Sequence, residues 1–253
     1  MSLLVALITY NRLDYTKRTL ESFLDTVSVP YFLVVADNGS TDGTIEWLQS
    51  QHNKGNINHL ILNEENLYPG EATNQAWDAG LFYYPEATHL MRLDNDMEFE
   101  RGWCIRAQAY FDAFPKLWQL GLDWGPPSGR QGVNDKYIKH SDGMKLDSWP
   151  GNVGGTNIIK RIVFDSGIRY DSTPWHNDGV PTPQEDCLLS IDIREAGYDF
   201  GHATERLCWS FAEFTDYPEY SKQTLEERGY ANSTDYEEVI DELNNLITGT
   251  DTE

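Results

Sequence analysis

An α/β fold with a mostly parallel, Rossmann-like central sheet flanked by helices is what this sequence predicts, on three observations. Apolar runs of strand length, Leu3 to Ile8, Tyr31 to Ala36, His59 to Leu62 and His89 to Leu93, alternate with stretches of helical periodicity. That order is the signature of strand–helix–strand units joined by right-handed crossovers. The runs are continuous in their hydrophobicity, as strands covered on both faces require. All four end in polar residues, Thr9 to Arg12, Asp37 to Ser40, Asn63, and Asp94 to Asp96. Those ends gather along one carboxyl edge, where open α/β sheets bind ligands.

The elements follow in order. Asp14 is expected to cap a helix that turns Leu20, Phe23, Leu24 and Val27 to one face and stops before Pro30. The loop Asp37-Asn38-Gly39-Ser40-Thr41-Asp42-Gly43 is dense in turn formers, and Thr41 or Asp42 can cap the helix carrying Ile45 and Leu48. Gly70 to Ala79 reads as a short helix whose Ala72, Gln75, Ala76 and Ala79 pack close to a sheet. Arg101 to Phe114 carries a core stripe of Trp103, Ala107, Tyr110 and Phe114, and Trp118 to Leu122 suits a strand. Residues 124–151 are rich in Gly, Pro, Ser and Asp and lack periodicity, so a long loop acting as a lid is expected there. Gly154 to Ile159 returns to strand composition, and Gln184 to Ala196 reads as a helix closed by Gly197. Glu185 and Asp186 sit at its amino end, where the helix dipole favours acids. The expected organisation is one domain over 1–215, with a nucleotide-binding half (1–97) and an acceptor half (98–215), then an acidic helical tail over 216–253 with Tyr236 to Ile247 as its helix.

Bulk composition narrows the function classes. With 41 acidic and 19 basic residues the formal charge is −22, which repels phosphate backbones and disfavours wrapping nucleic acid. The 253 residues, 40% hydrophobic and 13% aromatic, suffice for one substantial core. Three cysteines, Cys104, Cys187 and Cys208, lack metal-type spacing and suit reduced thiols in a cytoplasmic protein. The apolar start has no basic leader and meets Thr9 to Arg12 at once, so it reads as a strand, and no run approaches membrane-spanning length.

The stretch His89 to Glu98 carries the first chemical signal. Asp94 and Asp96 lie two apart at a strand end, so both carboxylates face the same side and can meet one hard cation, Mn²⁺ or Mg²⁺. Neither glycine-rich phosphate loop follows the first strand, so a phosphorylated ligand at this edge needs a metal ion or polar side chains against its charge.

Taken together, Ile8 to Arg12, Ala36 to Thr44, Arg92 to Asp96 and the Glu185-Asp186 pair resemble the family 2 glycosyltransferases of the GT-A fold. The resemblance runs from residue 3 to about 211. It implies a donor site of Thr9, Tyr10, Asn11, Arg12, Asp37 and Ser40, with Asp37 accepting the imide hydrogen of uracil. Asn63, Gly70 and Asn74, together with Arg92, Asp94 and Asn95, would line the donor, and Gly154-Gly155 would lie near its sugar. The Asp-x-Asp pair, Asp94 and Asp96, would hold the metal on the diphosphate. Many relatives place a histidine at the end of the last core strand as a further ligand; here Ser210 takes that place, while His202 falls near the strand start. Asp186 would be the catalytic base, with Glu185 its orienting neighbour or alternative.

The chemistry implied is transfer of a sugar from a nucleotide sugar, UDP-linked by the resemblance, to an acceptor hydroxyl with inversion. One metal-binding pair and one separate base fit a single displacement without a covalent nucleophile. Two other readings stand beside it: a nucleotidyltransferase, which ordinarily needs a basic glycine-rich stretch where this chain has Asn11-Arg12-Leu13, and a catalytically silent nucleotide-sugar-binding module. The acceptor is open among glycan, lipid, protein and metabolite, with a modified DNA base disfavoured by charge.

Overall fold

The computed structural model describes residues 1–123, 135–149, 153–172 and 185–211. The tail over 216–253 and much of the expected lid therefore lie outside the described residues. Among those described, the amino-terminal half is β1 (Leu3–Thr9), α1 (Leu13–Thr26), β2 (Tyr31–Asp37), α2 (Thr44–Asn53), β3 (His59–Leu62), α3 (Tyr68–Tyr83) and β4 (His89–Asp94). There follow β5 (Met97–Phe99), α4 (Trp103–Ala113), β6 (Leu117–Gly121), β7 (Ile138–Ser141), β8 (Met144–Asp147), β9 (Asn157–Lys160), α5 (Arg161–Asp165), α6 (Glu185–Glu195), β10 (Asp199–Ala203) and β11 (Cys208–Ser210).

Nine strands form one sheet in the order β3-β2-β1-β4-β9-β6-β10-β8-β7. The first four are parallel, β9 runs antiparallel between β4 and β6, and β10 is again parallel to β6. Strand order reverses direction at β1, so its carboxyl end and that of β4 flank a switch point where a crevice opens. The core lies in two layers. Leu3, Val5 and Leu7 face α1, α4 and their neighbours, and Leu4, Ala6 and Ile8 face α3 and α6. Helix α3 approaches closely because Ala72, Ala76 and Gly80 present little bulk; a Cβ on Gly80 would overlap Leu4.

Three expectations are corrected. Asp14 does not cap α1: it is exposed and pairs with Lys17, while the Leu13 amide donates to Asp42 Oδ2 (2.9 Å). The same Asp42 accepts from the Thr44 amide at 3.1 Å, so one carboxylate serves two helix starts. The stretch 124–151 is not all loop, because β7 and β8 form a hairpin within it, turned by Asp142 and Gly143 at φ 48° and 76°. Asp-Gly is the dipeptide such a two-residue turn demands. Finally, the segment ending at Ser210 is not a strand of the nine-stranded sheet: β11 pairs with β5 in a separate two-stranded sheet, and a single bridge from Cys208 to Asp123 ties it to the end of β6.

Candidate active site

The carboxyl ends of β1 and β2 meet in a closed hydrogen-bond net. Asp37 is fully buried. Its Oδ2 accepts from Thr9 Oγ1 (2.7 Å) and Ser40 Oγ (2.6 Å), and its Oδ1 from the Ser40 amide (2.8 Å). Both oxygens thus accept internal hydrogen bonds, through which Asp37 anchors the Asp-Asn-Gly-Ser loop. Asn11 and Arg12 both adopt left-handed backbone at φ 53° and 63°, a costly pair for non-glycine residues. The surroundings hold that turn: the Asn11 amide donates to Ser40 Oγ (2.6 Å), and Asn11 Oδ1 accepts from the Thr41 amide (2.8 Å). Tyr10, by contrast, is exposed and offers a ring face at this edge. Deeper in, Asn63 and Gln75 exchange two amide hydrogen bonds of 3.1 Å, and Asn63 Nδ2 also donates to Asn38 Oδ1 (3.1 Å).

At the end of β4, Asp94 is fixed from several sides. Its amide donates to Thr156 Oγ1 (3.1 Å), and its Oδ1 accepts from Arg92 Nε (3.0 Å). A Cβ on Gly155 would overlap its carboxylate, so Gly155 borders Asp94, while a Cβ on Gly154 would meet open space. Asn95 is buried and turned away, donating to Thr16 Oγ1 at 3.1 Å. Asp96 lies in the tight β4–β5 turn, where burial and the neighbouring Asp94 push its carboxyl up to about 7 against the pull of Arg12; Asp123 adds to the rise. A cation beside Asp96 would offset that rise, so the donor set fits a hard divalent ion. Ser210 is brought to the same turn from far along the chain, since the next amide, Phe211, donates to the Asp96 carbonyl (3.0 Å). Among the described residues no group of three His, Cys, Asp or Glu side chains is arranged to hold a metal, so substrate oxygens would have to complete the shell.

A second pair of acids enters from α6. Glu185 and Asp186 are both buried; Glu185 Oε1 accepts from Arg92 Nη1 at 2.7 Å, and Asp186 Oδ1 accepts from the Cys187 amide at 2.7 Å. Burial, then the charge of Glu185, raises the Asp186 carboxyl, with Arg92 opposing. An acid so tuned accepts a proton more readily than an ordinary surface aspartate.

Three residues expected to line the donor are placed otherwise. Arg92 is buried and turned to two carboxylates. Asn74 clamps the Tyr170 backbone, donating to its carbonyl (2.9 Å) and accepting from its amide (3.2 Å). Gly70 packs under Glu185 and Asp171, where a Cβ would overlap the Asp171 carbonyl. Sequence reasoning missed Thr156, Asn157, Tyr170 and Asp123. For Asp123 a signal existed: it ends an apolar run, Leu120-Gly121-Leu122, as Asp94 ends its own.

Solved structures share the fold, three of them as follows. S. aureus TarS has a TM-score of 0.61 at 20% identity over 90% of this chain, which spans 39% of the TarS chain. The mannosyltransferase PcManGT from Pyrobaculum calidifontis, in complex with GDP-Man and Mn²⁺, has a TM-score of 0.62 at 17% identity over 88% of this chain and 61% of its own. GalNAc-T7 with UDP, GalNAc and Mn²⁺ has 0.60 at 16% identity over 96% and 54%. No curated protein matches. The profile of "Glycosyl transferase family 2" matches residues 4–166, covering both the loops after β1 and β2 and the Asp94–Asp96 turn, and the chain therefore belongs to the family 2 glycosyltransferases with the GT-A fold.

Proposed function

We propose that this chain transfers a sugar from a nucleoside diphosphate sugar, UDP-linked in the first instance, to an acceptor hydroxyl by one inverting displacement assisted by Mn²⁺ or Mg²⁺. The observation that carries this reading is the pairing of two acid groups across one crevice: Asp94 and Asp96 at the end of β4, and Asp186 at the start of α6. Solved neighbours are in complex with UDP-GlcNAc, with GDP-Man and Mn²⁺, and with UDP, GalNAc and Mn²⁺, which supports the donor class and the cation.

In this reading Tyr10 and the loop anchored by Asp37 receive the nucleoside, while Asp94 and Asp96, with Ser210 beside them, hold the cation. A bound divalent ion supplies charge against the leaving diphosphate. Asp186 takes the proton of the acceptor hydroxyl as it attacks the anomeric carbon, and the bond to phosphate oxygen breaks on the opposite side. No helix among the described residues is long and apolar enough to cross a membrane. Three buried free thiols support work in a reducing compartment, the cytoplasm.

The test is release of UDP or GDP from a panel of nucleotide sugars with Mn²⁺. Turnover with at least one donor is expected, abolished by chelator and by Asp96→Ala with the fold intact. Full activity in chelator would remove the metal role, and release of pyrophosphate from nucleoside triphosphates instead would point to nucleotidyl transfer.

A further inference from the structure

The crevice gathers four carboxylates, Asp94, Asp96, Glu185 and Asp186, on two elements far apart in sequence. Their mutual repulsion would spread α6 away from β4 unless something held them. Arg92 lies two residues before Asp94 and projects to the same side of the strand. Its register neighbours are Ala6 on β1 and Asn157 on β9, and the small Ala6 leaves room for the guanidinium.

That group is fixed on every side. Nε donates to Asp94 Oδ1 at 3.0 Å and Nη1 to Glu185 Oε1 at 2.7 Å. Beneath it lies the Tyr170 ring, 5.2 Å from the guanidinium carbon. Tyr170 in turn accepts at its hydroxyl from Asn157 Nδ2 (2.8 Å), and the same amide group donates to the carbonyls of Gly154 and Gly155. Asn74 pins the Tyr170 backbone to α3. The result is a packed polar hub that touches the cation-side acid, the glycine pair and the acceptor-side helix together.

We propose that Arg92 is a positioning residue whose single rigid guanidinium sets the spacing between the cation-side acid Asp94 and the acceptor-side acid Glu185, and so between diphosphate and base. The inference rests on the function proposed above. Arginine presents its donors in one covalent plane, so the two carboxylates it joins cannot drift independently; a lysine carries a point charge on a flexible stem and can follow only one of them. Displacement of reacting groups by about 1 Å costs on the order of 10²-fold in rate, so loss of the fork should appear in turnover and not in donor capture, which belongs to the loops of β1 and β2.

The experiment is steady-state transfer by Arg92→Lys at saturating Mn²⁺, with donor KM, kcat and melting temperature measured together. The expected result is a kcat lower by roughly 10²-fold with donor KM within about threefold. A kcat within threefold of wild type, or kcat and KM worsening together in step with a fall in melting temperature, would overturn the proposal. Should Arg92→Lys fail to fold, Glu185→Gln keeps the shape and removes one charge from the tie: a drop of about tenfold in kcat at unchanged KM supports the role, and unchanged kcat refutes it. A wild-type chain inactive on every donor would instead take down the proposed function, and this inference with it, before any variant is read.

Discussion

At the ends of β1 and β2 Asp37 is fully buried with both oxygens accepting from Thr9 and Ser40; at the start of α6 Glu185 and Asp186, nearly as buried, are adjacent acids facing one guanidinium. The first carboxylate is surrounded by neutral donors contributed by its own loop and the neighbouring strand end. The second pair depends on a cation from a strand 93 residues away. A carboxylate satisfied by local hydroxyls and amides makes a rigid loop that positions others. A pair held partly against its own repulsion keeps proton affinity, which a base needs.

The largest effect that would sharpen this contrast comes from Asp186→Asn. Transfer should fall by about 10²–10⁴-fold, the usual loss on removing a general base, while binding of UDP with Mn²⁺, followed by calorimetry, stays close to wild type. Transfer within a few-fold of wild type would move the base to Glu185. In the wild type, the burial-raised Asp186 must lose its proton to act, so kcat should climb as pH rises through an ascending limb above the ordinary aspartate range; the variant should lack that limb.

Next in size is Gly155→Ala. The added methyl has no room beside the Asp94 carboxylate, so Mn²⁺ affinity measured with UDP should weaken by about tenfold, as losses of support around a metal ligand do. An unchanged affinity would mean Asp94 does not hold the cation.

Asp37→Ala probes the other side. As an internal anchor it leaves a buried amide and two hydroxyls without their acceptor, at a cost of about 2–3 kcal/mol in urea unfolding. Should uridine binding be lost at unchanged stability, Asp37 would be a ligand contact and the contrast drawn here would fail.

His89, at the opposite end of β4 from Asp94, gives a smaller effect remote from both acid groups. Burial, with the amino terminus and Lys160 adding and Asp112 opposing, lowers its pKa to about 4, below the ordinary value near 6.5. The unfolded chain then binds the proton more readily, so stability is complete above pH ~6.5 and declines as pH falls towards 4. His89→Gln should flatten that decline in pH-dependent thermal unfolding.

Much of the site was legible because it is local. Strand ends, turn formers and the Asp94–Asp96 spacing each sit within a few residues, where side-chain period and turn chemistry apply directly. The hub of Arg92, Asn157 and Tyr170 was not legible, since it joins β4, β9 and the segment before α6, and periodicity says nothing of which strands become neighbours. Asn157 left a faint trace as the polar residue before Ile158 and Ile159. The hairpin β7–β8 was missed for another reason: the Asp142-Gly143 turn signal and the alternation of Met144-Lys145-Leu146-Asp147 were present, but the other flank, Ile138-Lys139-His140-Ser141, is polar after its first residue and the whole lies in a stretch rich in Gly, Pro and Ser. The internal partners of Asp37 were not legible either, since its hydrogen bond from Thr9 crosses from β1 to β2.

Asp42 joins the amides of Leu13 and Thr44 through its two oxygens, and that shared carboxylate has a consequence for local opening. The first turns of α1 and α2 cannot fray one at a time without disturbing the acceptor of the other. Amide hydrogen exchange should therefore give Leu13 and Thr44 closely similar opening free energies, as members of one cooperative unit. The breathing of the two crossover units would be synchronised at the rim where Asn11 and Arg12 make their left-handed turn.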